Sequence, residues 1–253
     1  MSPAPGLAAV VLAAGEGKRM RSDLAKVMHE MAGKPLLGHV LDRLVDLDIG
    51  RVVVVVGHRR EAVIAYCESR GVSWAVQEQQ LGTGHAFRQA VPALGSFRGT
   101  VLVLCGDTPL LTAGTLRDLL DVHQKRGASG TVLSADLPDP SGYGRVVRDA
   151  HGDIARIVEE RDATPEERAL HEINTAIYAF EHPEITEVLG EIRSDNRQGE
   201  YYLTDVVSLL RDRGRRVAVL KTPDAREALG VNTADQLQEA ETAYASLRAE
   251  GRL

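Results

Sequence analysis

The chain has 253 residues, with 30 lysines and arginines against 36 aspartates and glutamates. The resulting net charge of -6 argues against a general nucleic-acid or anionic-membrane binder that needs a cationic surface. With 43% hydrophobic, 26% charged and 4% aromatic residues, the composition suits a globular protein with a sizeable core and not a disordered or collagen-like chain. Cys67 and Cys105 are the 2 cysteines, too few for a disulfide framework and in keeping with a reducing cytosol.

The apolar run from Gly6 to Gly15 lacks a basic start, because Lys18, Arg19 and Arg21 follow it. No stretch reaches the roughly 18 uncharged apolar residues of a membrane span, so a cytoplasmic protein is expected. In chain order, β-branched apolar runs at 8–14, 51–56, 73–77 and 100–105 read as strands. Helical periodicity fills 36–47, 59–70 and 83–91 between them. A helix near 115–126 and a strand at 130–135 follow. This alternation predicts an α/β fold around a mainly parallel sheet, with the five valines at 52–56 in a strand buried on both faces. After Asp136 the texture changes. Runs at 146–148 and 154–158 flank a turn at 149–153 and predict an inserted β-hairpin subregion. A strand at 173–180, helices near 183–191 and 204–213, and a strand at 216–221 return to the main sheet. Thr233 and Gln236 stand in capping-box spacing ahead of a last helix over 233–250.

The first strand ends in Leu12-Ala13-Ala14-Gly15-Glu16-Gly17-Lys18-Arg19-Met20, a glycine turn where parallel α/β sheets bind ligands. Glycine lets backbone N–H groups approach phosphate oxygens closely. A dinucleotide fingerprint would need glycine at Met20, and a Walker loop would need glycine at Leu12 and a hydroxyl residue at Arg19, so both fail. From Gly15 to Lys34 there are five basic residues (Lys18, Arg19, Arg21, Lys26, Lys34) and three acidic ones (Glu16, Asp23, Glu30). That local excess favours an anionic ligand, although ordinary turn chemistry would explain an isolated glycine turn as well.

Leu12-Ala13-Ala14-Gly15-x-Gly17-x-Arg19-Met20 with Lys26 downstream resembles the signature of the sugar-phosphate nucleotidylyltransferases. Further segments narrow the likeness to the uridylyltransferase domain of the bacterial bifunctional GlmU enzymes. They are Gln77-x-x-Gln80-Leu81-Gly82-Thr83-Gly84-His85-Ala86, Gly106-Asp107-Thr108-Pro109-Leu110, Tyr143-Gly144-Arg145, Ile157-Val158-Glu159, Glu172-Ile173-Asn174-Thr175, the run from Gln198 to Asp205, and Gly230-Val231-Asn232. The resemblance covers nearly the whole chain and implies a Rossmann-like sheet of the nucleotide-diphospho-sugar transferase type. It further implies a nucleotidyltransferase domain over 1–232, a C-terminal helix closing it over 233–253, and no left-handed β-helix acetyltransferase domain.

The reaction so implied is uridylyl transfer from UTP to N-acetylglucosamine 1-phosphate, giving UDP-N-acetylglucosamine and pyrophosphate with Mg2+. A phosphate monoester is already anionic near neutral pH, so its oxygen needs no strong general base, and alignment and charge neutralisation remain as the catalytic task. His85 and His58 are accordingly read as packing or surface residues. By resemblance, Arg19 and Lys26 grip the triphosphate, Arg19 as a fork and Lys26 as a point charge. Leu12, Ala13, Ala14 and Gly15 line the nucleotide. Gln77, with an amide able to accept from uracil N3–H and donate to O4, Gly82 and Thr83 meet the base. Asp107 and Asn232 hold the magnesium ion, a hard cation satisfied by few protein oxygens. Gly144, Glu159, Asn174, Tyr202 and Thr204 take the sugar. Lys18, Cys105 and Ala176 depart from the threonine, aromatic residue and glycine usual in the family. Open alternatives are the same chemistry on another sugar phosphate or nucleotide, and a non-catalytic sugar-nucleotide sensor.

Overall fold

The computed structural model describes residues 6–20 and 22–253; Arg21, counted in the basic run, lies outside them. Strand β1 (Leu7–Ala13) opens the chain, followed by a small hairpin of β2 (Glu30–Met31) and β3 (Lys34–Pro35). Helix α1 (Leu36–Asp46), β4 (Arg51–Val56), α2 (Arg60–Ser69), β5 (Ser73–Val76), α3 (Thr83–Leu94), β6 (Gly99–Cys105), α4 (Ala113–Arg126) and β7 (Gly130–Asp136) continue the alternation. The insertion comprises β8 (Arg145–Arg148), β9 (Ile154–Val158) and the short α5 (Pro165–Arg168). Strand β10 (Glu172–His182), α6 (Glu184–Leu189), α7 (Asp205–Asp212), β11 (Val217–Lys221) and α8 (Ala234–Ala249) complete the fold. No helix among the described residues is long and apolar enough to cross a membrane.

The main sheet has the order β11-β7-β10-β6-β1-β4-β5. Parallel pairings join β11 to β7, β6 to β1, β1 to β4 and β4 to β5, so β10, antiparallel to both β6 and β7, is the one reversed strand on this path. Period-two alternation builds a core on each face. Ala8 and Val10 of β1 and Val53 and Val55 of β4 join Phe87, Leu94, Tyr178 and Phe180 on one face. Ala9, Val11, Val54 and Val56 join Leu37, Leu41, Leu44, Leu116 and Leu119 on the other. A third cluster sets Ala240 and Leu247 of α8 against Met31, Leu36, Leu110 and Val231.

Three features lay outside the sequence expectation. The reversal of β10 leaves no mark in a strand buried on both faces. The strands β2 and β3 have 2 residues each, too few to show a period. Helix α5 spans 4 residues, but Thr164 and Glu167 close a capping box around it, a signal that Thr-Pro-Glu-Glu does carry.

The insertion is fastened by Arg145, a guanidinium only 1% exposed. It donates to the carbonyls of Leu170 (3.0 Å), Arg168 (3.3 Å) and Tyr143, and lies 2.9 Å from the Glu160 carboxylate. Strand β8 thereby holds its register with β10 at Arg145 and Ile173. Arg145→Ala strands these acceptors, and the expected cost is about 3 kcal/mol, read as a lower urea midpoint.

Candidate active site

Strands β1 and β6 are neighbours, with Leu12 opposite Cys105, so the glycine turn and the Gly106-Asp107 turn leave the sheet side by side. The Gly106 N–H donates to the Leu12 carbonyl at 2.9 Å. Ala13 and Ala14 are buried, whereas Gly15 and Arg19 are exposed. Gly17 has φ +62°, and a Cβ there would lie 2.8 Å from Lys26 Cβ. Glycine is what allows the turn to fold down onto Lys26. Lys18 pairs with Glu16, and Arg19 makes no ion pair or hydrogen bond among the described residues.

Lys26, only 16% exposed at its side chain, pairs with the Asp107 carboxylate and donates to Asn232 Oδ1 at 3.0 Å. Asn232 is oriented from both sides. Its backbone N–H donates to Gln236 Oε1 (2.8 Å), and its Nδ2 donates to the Gly230 carbonyl (3.2 Å), leaving Oδ1 to face Lys26. The Val231 N–H donates to the Asp107 carbonyl at 2.9 Å, tying the two loops together. Among the described residues no group of three His, Cys, Asp or Glu side chains could hold a metal. One carboxylate and one amide oxygen nevertheless converge on a single cation, the Lys26 ammonium, and this all-oxygen pair suits a hard divalent ion completed by phosphate oxygens and water.

At the end of β5, Gln77 donates from Nε2 to the Gly82 carbonyl (3.1 Å) and to His85 Nδ1 (3.0 Å). Both amide protons are therefore occupied within the protein, which leaves Oε1 as its group for a base. Gly82 has φ +101°, and a Cβ would come 2.6 Å from the Tyr201 carbonyl. Thr83 Oγ1 accepts from the Leu203 N–H at 3.0 Å, and the Gly84 N–H donates to the Tyr201 carbonyl at 2.8 Å. His85 reads from the sequence as a packing or surface residue; its contact with Gln77 depends on the fold of the intervening loop, which no spacing rule signals.

The residues expected to hold a sugar form a second polar group. The Asn174 N–H donates to the Gly144 carbonyl at 2.8 Å, and the Thr204 hydroxyl donates to Glu159 Oε1 at 3.2 Å. A Cβ at Gly144 would lie 3.3 Å from Ile157 Cγ2, a tight approach, and 3.5 Å from Glu159 Oε2, an ordinary contact. The Tyr202 hydroxyl donates to Asp162 (3.1 Å) and accepts from Gln198 (2.8 Å). Glu159, Asp162, Tyr202 and Asp205 line a cavity of about 230 Å³. Burial pushes the Glu159 carboxyl up, opposed by the Thr204 hydroxyl and reinforced by Asp205, Asp162 and Glu200. Burial also pushes the Tyr202 hydroxyl up to about 12, and the Cys105 thiol to about 12. Asn174 is partly committed, donating to the Tyr178 hydroxyl (2.8 Å) and accepting from the Ala176 N–H (3.2 Å). Ala176 has φ +58° at the register shift between Asn174 and Tyr178, a left-handed conformation that explains why glycine suits this position.

A mainly parallel sheet with a glycine turn, a lysine and an oxygen pair at its carboxyl edge defines an α/β protein with a candidate site where such sheets bind ligands. The chain belongs to the MobA-like NTP transferase domain family, which matches residues 9–174. It is 50% identical over 233 residues to the bifunctional protein GlmU of Brevibacillus brevis, covering 92% of this chain and 50% of the relative. It is 50% identical over 246 residues to the bifunctional protein GlmU of Thermobifida fusca, covering 95% of this chain and 51% of the relative. The chain thus spans about half the length of the curated relatives it matches. Its fold is similar to that of a putative glucose-1-phosphate thymidylyltransferase from Bacillus anthracis (TM-score 0.74, 20% identity, 94% of each chain). It is also similar to a UDP-glucose pyrophosphorylase solved with UDP-glucose (TM-score 0.75, 19% identity, 96% of this chain and 99% of the other).

Ala176→Gly relieves the left-handed strain and is expected to raise stability by about 1 kcal/mol, seen as a higher urea midpoint at unchanged slope. Burial and Asp162 push the Asp205 carboxyl up from 3.8 to about 6. The folded protein then binds this proton more tightly than the unfolded chain does. The associated stability is present below the ordinary value and is lost as pH rises through about 6. Asp205→Asn should flatten that loss in urea midpoints followed from acid to neutral pH.

Proposed function

We propose that the protein catalyses uridylyl transfer from UTP to N-acetylglucosamine 1-phosphate, releasing pyrophosphate and forming UDP-N-acetylglucosamine. The observation that carries this reading is the convergence of Lys26, Asp107 and Asn232 beside the glycine turn, in a chain half identical to GlmU relatives. A phosphate oxygen of the sugar 1-phosphate forms a bond to the α-phosphorus of UTP. The bond from that phosphorus to the bridging oxygen breaks, and its electron pair leaves with pyrophosphate. No proton has to be taken from the nucleophile near neutral pH.

Asp107 and Asn232 would hold Mg2+, which when bound offsets the charge of the phosphate oxygens. Lys26 neutralises Asp107 in the structure and stands beside the same place, so its ammonium is available to the triphosphate as negative charge shifts onto the leaving group. Exposed Arg19 adds a second positive group on the turn. The strand end and turn over Leu12, Ala13, Ala14 and Gly15 line the nucleotide, while Gln77, Gly82 and Thr83 take the base. Glu159 accepts from sugar hydroxyls, the remaining Asn174 amide capacity serves the N-acetyl group, and Gly144, Tyr202 and Thr204 shape the pocket.

Pyrophosphate release measured with UTP, dTTP, CTP or GTP against a panel of sugar 1-phosphates tests the proposal. UTP with N-acetylglucosamine 1-phosphate should be the preferred pair, lost to a chelator and restored by Mg2+. Turnover with no pair would overturn the enzyme reading, and preference for another pair would overturn the substrate assignment.

A further inference from the structure

Gln77 is only 3% exposed, yet its two ends have different fates. Both Nε2 protons are taken, one by the Gly82 carbonyl and one by His85 Nδ1. The Gly82 carbonyl can only accept, so the network itself assigns which end of the amide is nitrogen. Oε1 has no protein donor among the described residues and is not a sealed polar atom without a partner. It is the open end of an otherwise enclosed side chain.

His85 stands in the first turn of α3, and its contact with Gln77 requires an unprotonated Nδ1. Burial, assisted by the Arg88 guanidinium, lowers its pKa, while the Gln79 carbonyl acts in the opposite sense. The Tyr201 ring, 6.5 Å away between centroids, covers it from the neighbouring segment. Burial thus favours the neutral ring, and the Gln77 contact needs the tautomer with its lone pair on Nδ1; Gln89 Nε2, 3.2 Å from His85 Nε2, then donates to the His85 carbonyl at 3.2 Å.

We propose that His85 is a positioning residue for base selection: by accepting from Gln77 Nε2 it holds the amide with Oε1 outward, as a fixed acceptor for the base. This rests on the uridylyl-transfer reading above. A fixed acceptor pairs with a ring N–H, which uracil carries at N3. It opposes the lone pair that cytosine carries at the same atom. Without His85 only the Gly82 carbonyl still holds Nε2 inward, so the amide is less firmly fixed and the discrimination of uracil from cytosine weakens.

Two substitutions separate this role from packing. His85→Asn puts Oδ1 on Cγ where Nδ1 stood and keeps an acceptor; His85→Leu puts a methyl there and keeps bulk without one. The preference for UTP over CTP in kcat/KM is expected to fall about tenfold or more in the Leu variant and to stay within about threefold of wild type in the Asn variant. Should the Leu variant fail to fold by thermal melting, His85→Ala replaces it as the smaller substitution without an acceptor. A Leu or Ala variant that loses turnover on both nucleotides equally, with the preference unchanged, overturns the positioning role. So does an Asn variant as unselective as Leu. Wild-type protein that uses CTP as well as UTP instead overturns the uridylyl-transfer reading, and the role of His85 with it.

Discussion

The ammonium of Lys26 ties together three stretches of chain that the sequence keeps far apart. Its partner Asp107 lies 81 positions away, and Asn232 lies 206. A mostly buried lysine beside a mostly buried carboxylate is tolerable because each neutralises the other, and removal of either would leave a poorly solvated charge. The geometry around this contact is correspondingly demanding. Gly17 must lack a Cβ so that the glycine turn can lie against Lys26, and β1 and β6 must be parallel neighbours so that Asp107 emerges beside that turn.

Asn232 reaches the same point because α8 and the segment before it are pinned. Glu227, fully buried, accepts from the Thr112 hydroxyl at 2.7 Å, and from that of Thr115, and pairs with Arg252. Asp224 pairs with both Arg226 and Arg252. The loop carrying Gly230 to Asn232 is therefore anchored by a buried carboxylate on its N-terminal side and by Gln236 on its C-terminal side. The terminal helix does more than cover Met31, Leu36 and Leu110, since the position of one candidate metal ligand depends on where it packs.

Much of the fold was legible because its central strands are apolar on both faces and its helices amphipathic, patterns that survive in a single sequence. Strand direction was not: β10 has the same buried texture whichever way it runs. At the candidate site the motifs identified which residues to examine, but not their hydrogen-bond state. Gln77 read as a donor and acceptor for a base, and the fold commits both of its protons to Gly82 and His85. Ala176 reads as a departure from the family's usual glycine, and its φ of +58° supplies the physical reason that glycine suits the position. In both cases the missing information was three-dimensional, residing in a loop closure and a strand irregularity that leave no periodic trace.

The net charge of -6 would oppose the approach of the two phosphorylated substrates proposed above if it were spread evenly over the surface. Arg19 and Lys26 bring positive charge to the glycine turn at the carboxyl edge of the sheet, while Glu159, Asp162 and Asp205 crowd the cavity on the insertion side. That division matches the chemistry of the two ligand ends, with cations for phosphates and acceptors for sugar hydroxyls. The Thr83–Leu203 and Gly84–Tyr201 hydrogen bonds lace the base segment to the chain that carries Tyr202 and Thr204. In the proposed reaction, two ligands held on segments cross-linked in this way would meet at a separation set by the folded backbone, and for a transfer that needs no strong base, alignment of that kind is the larger part of catalysis.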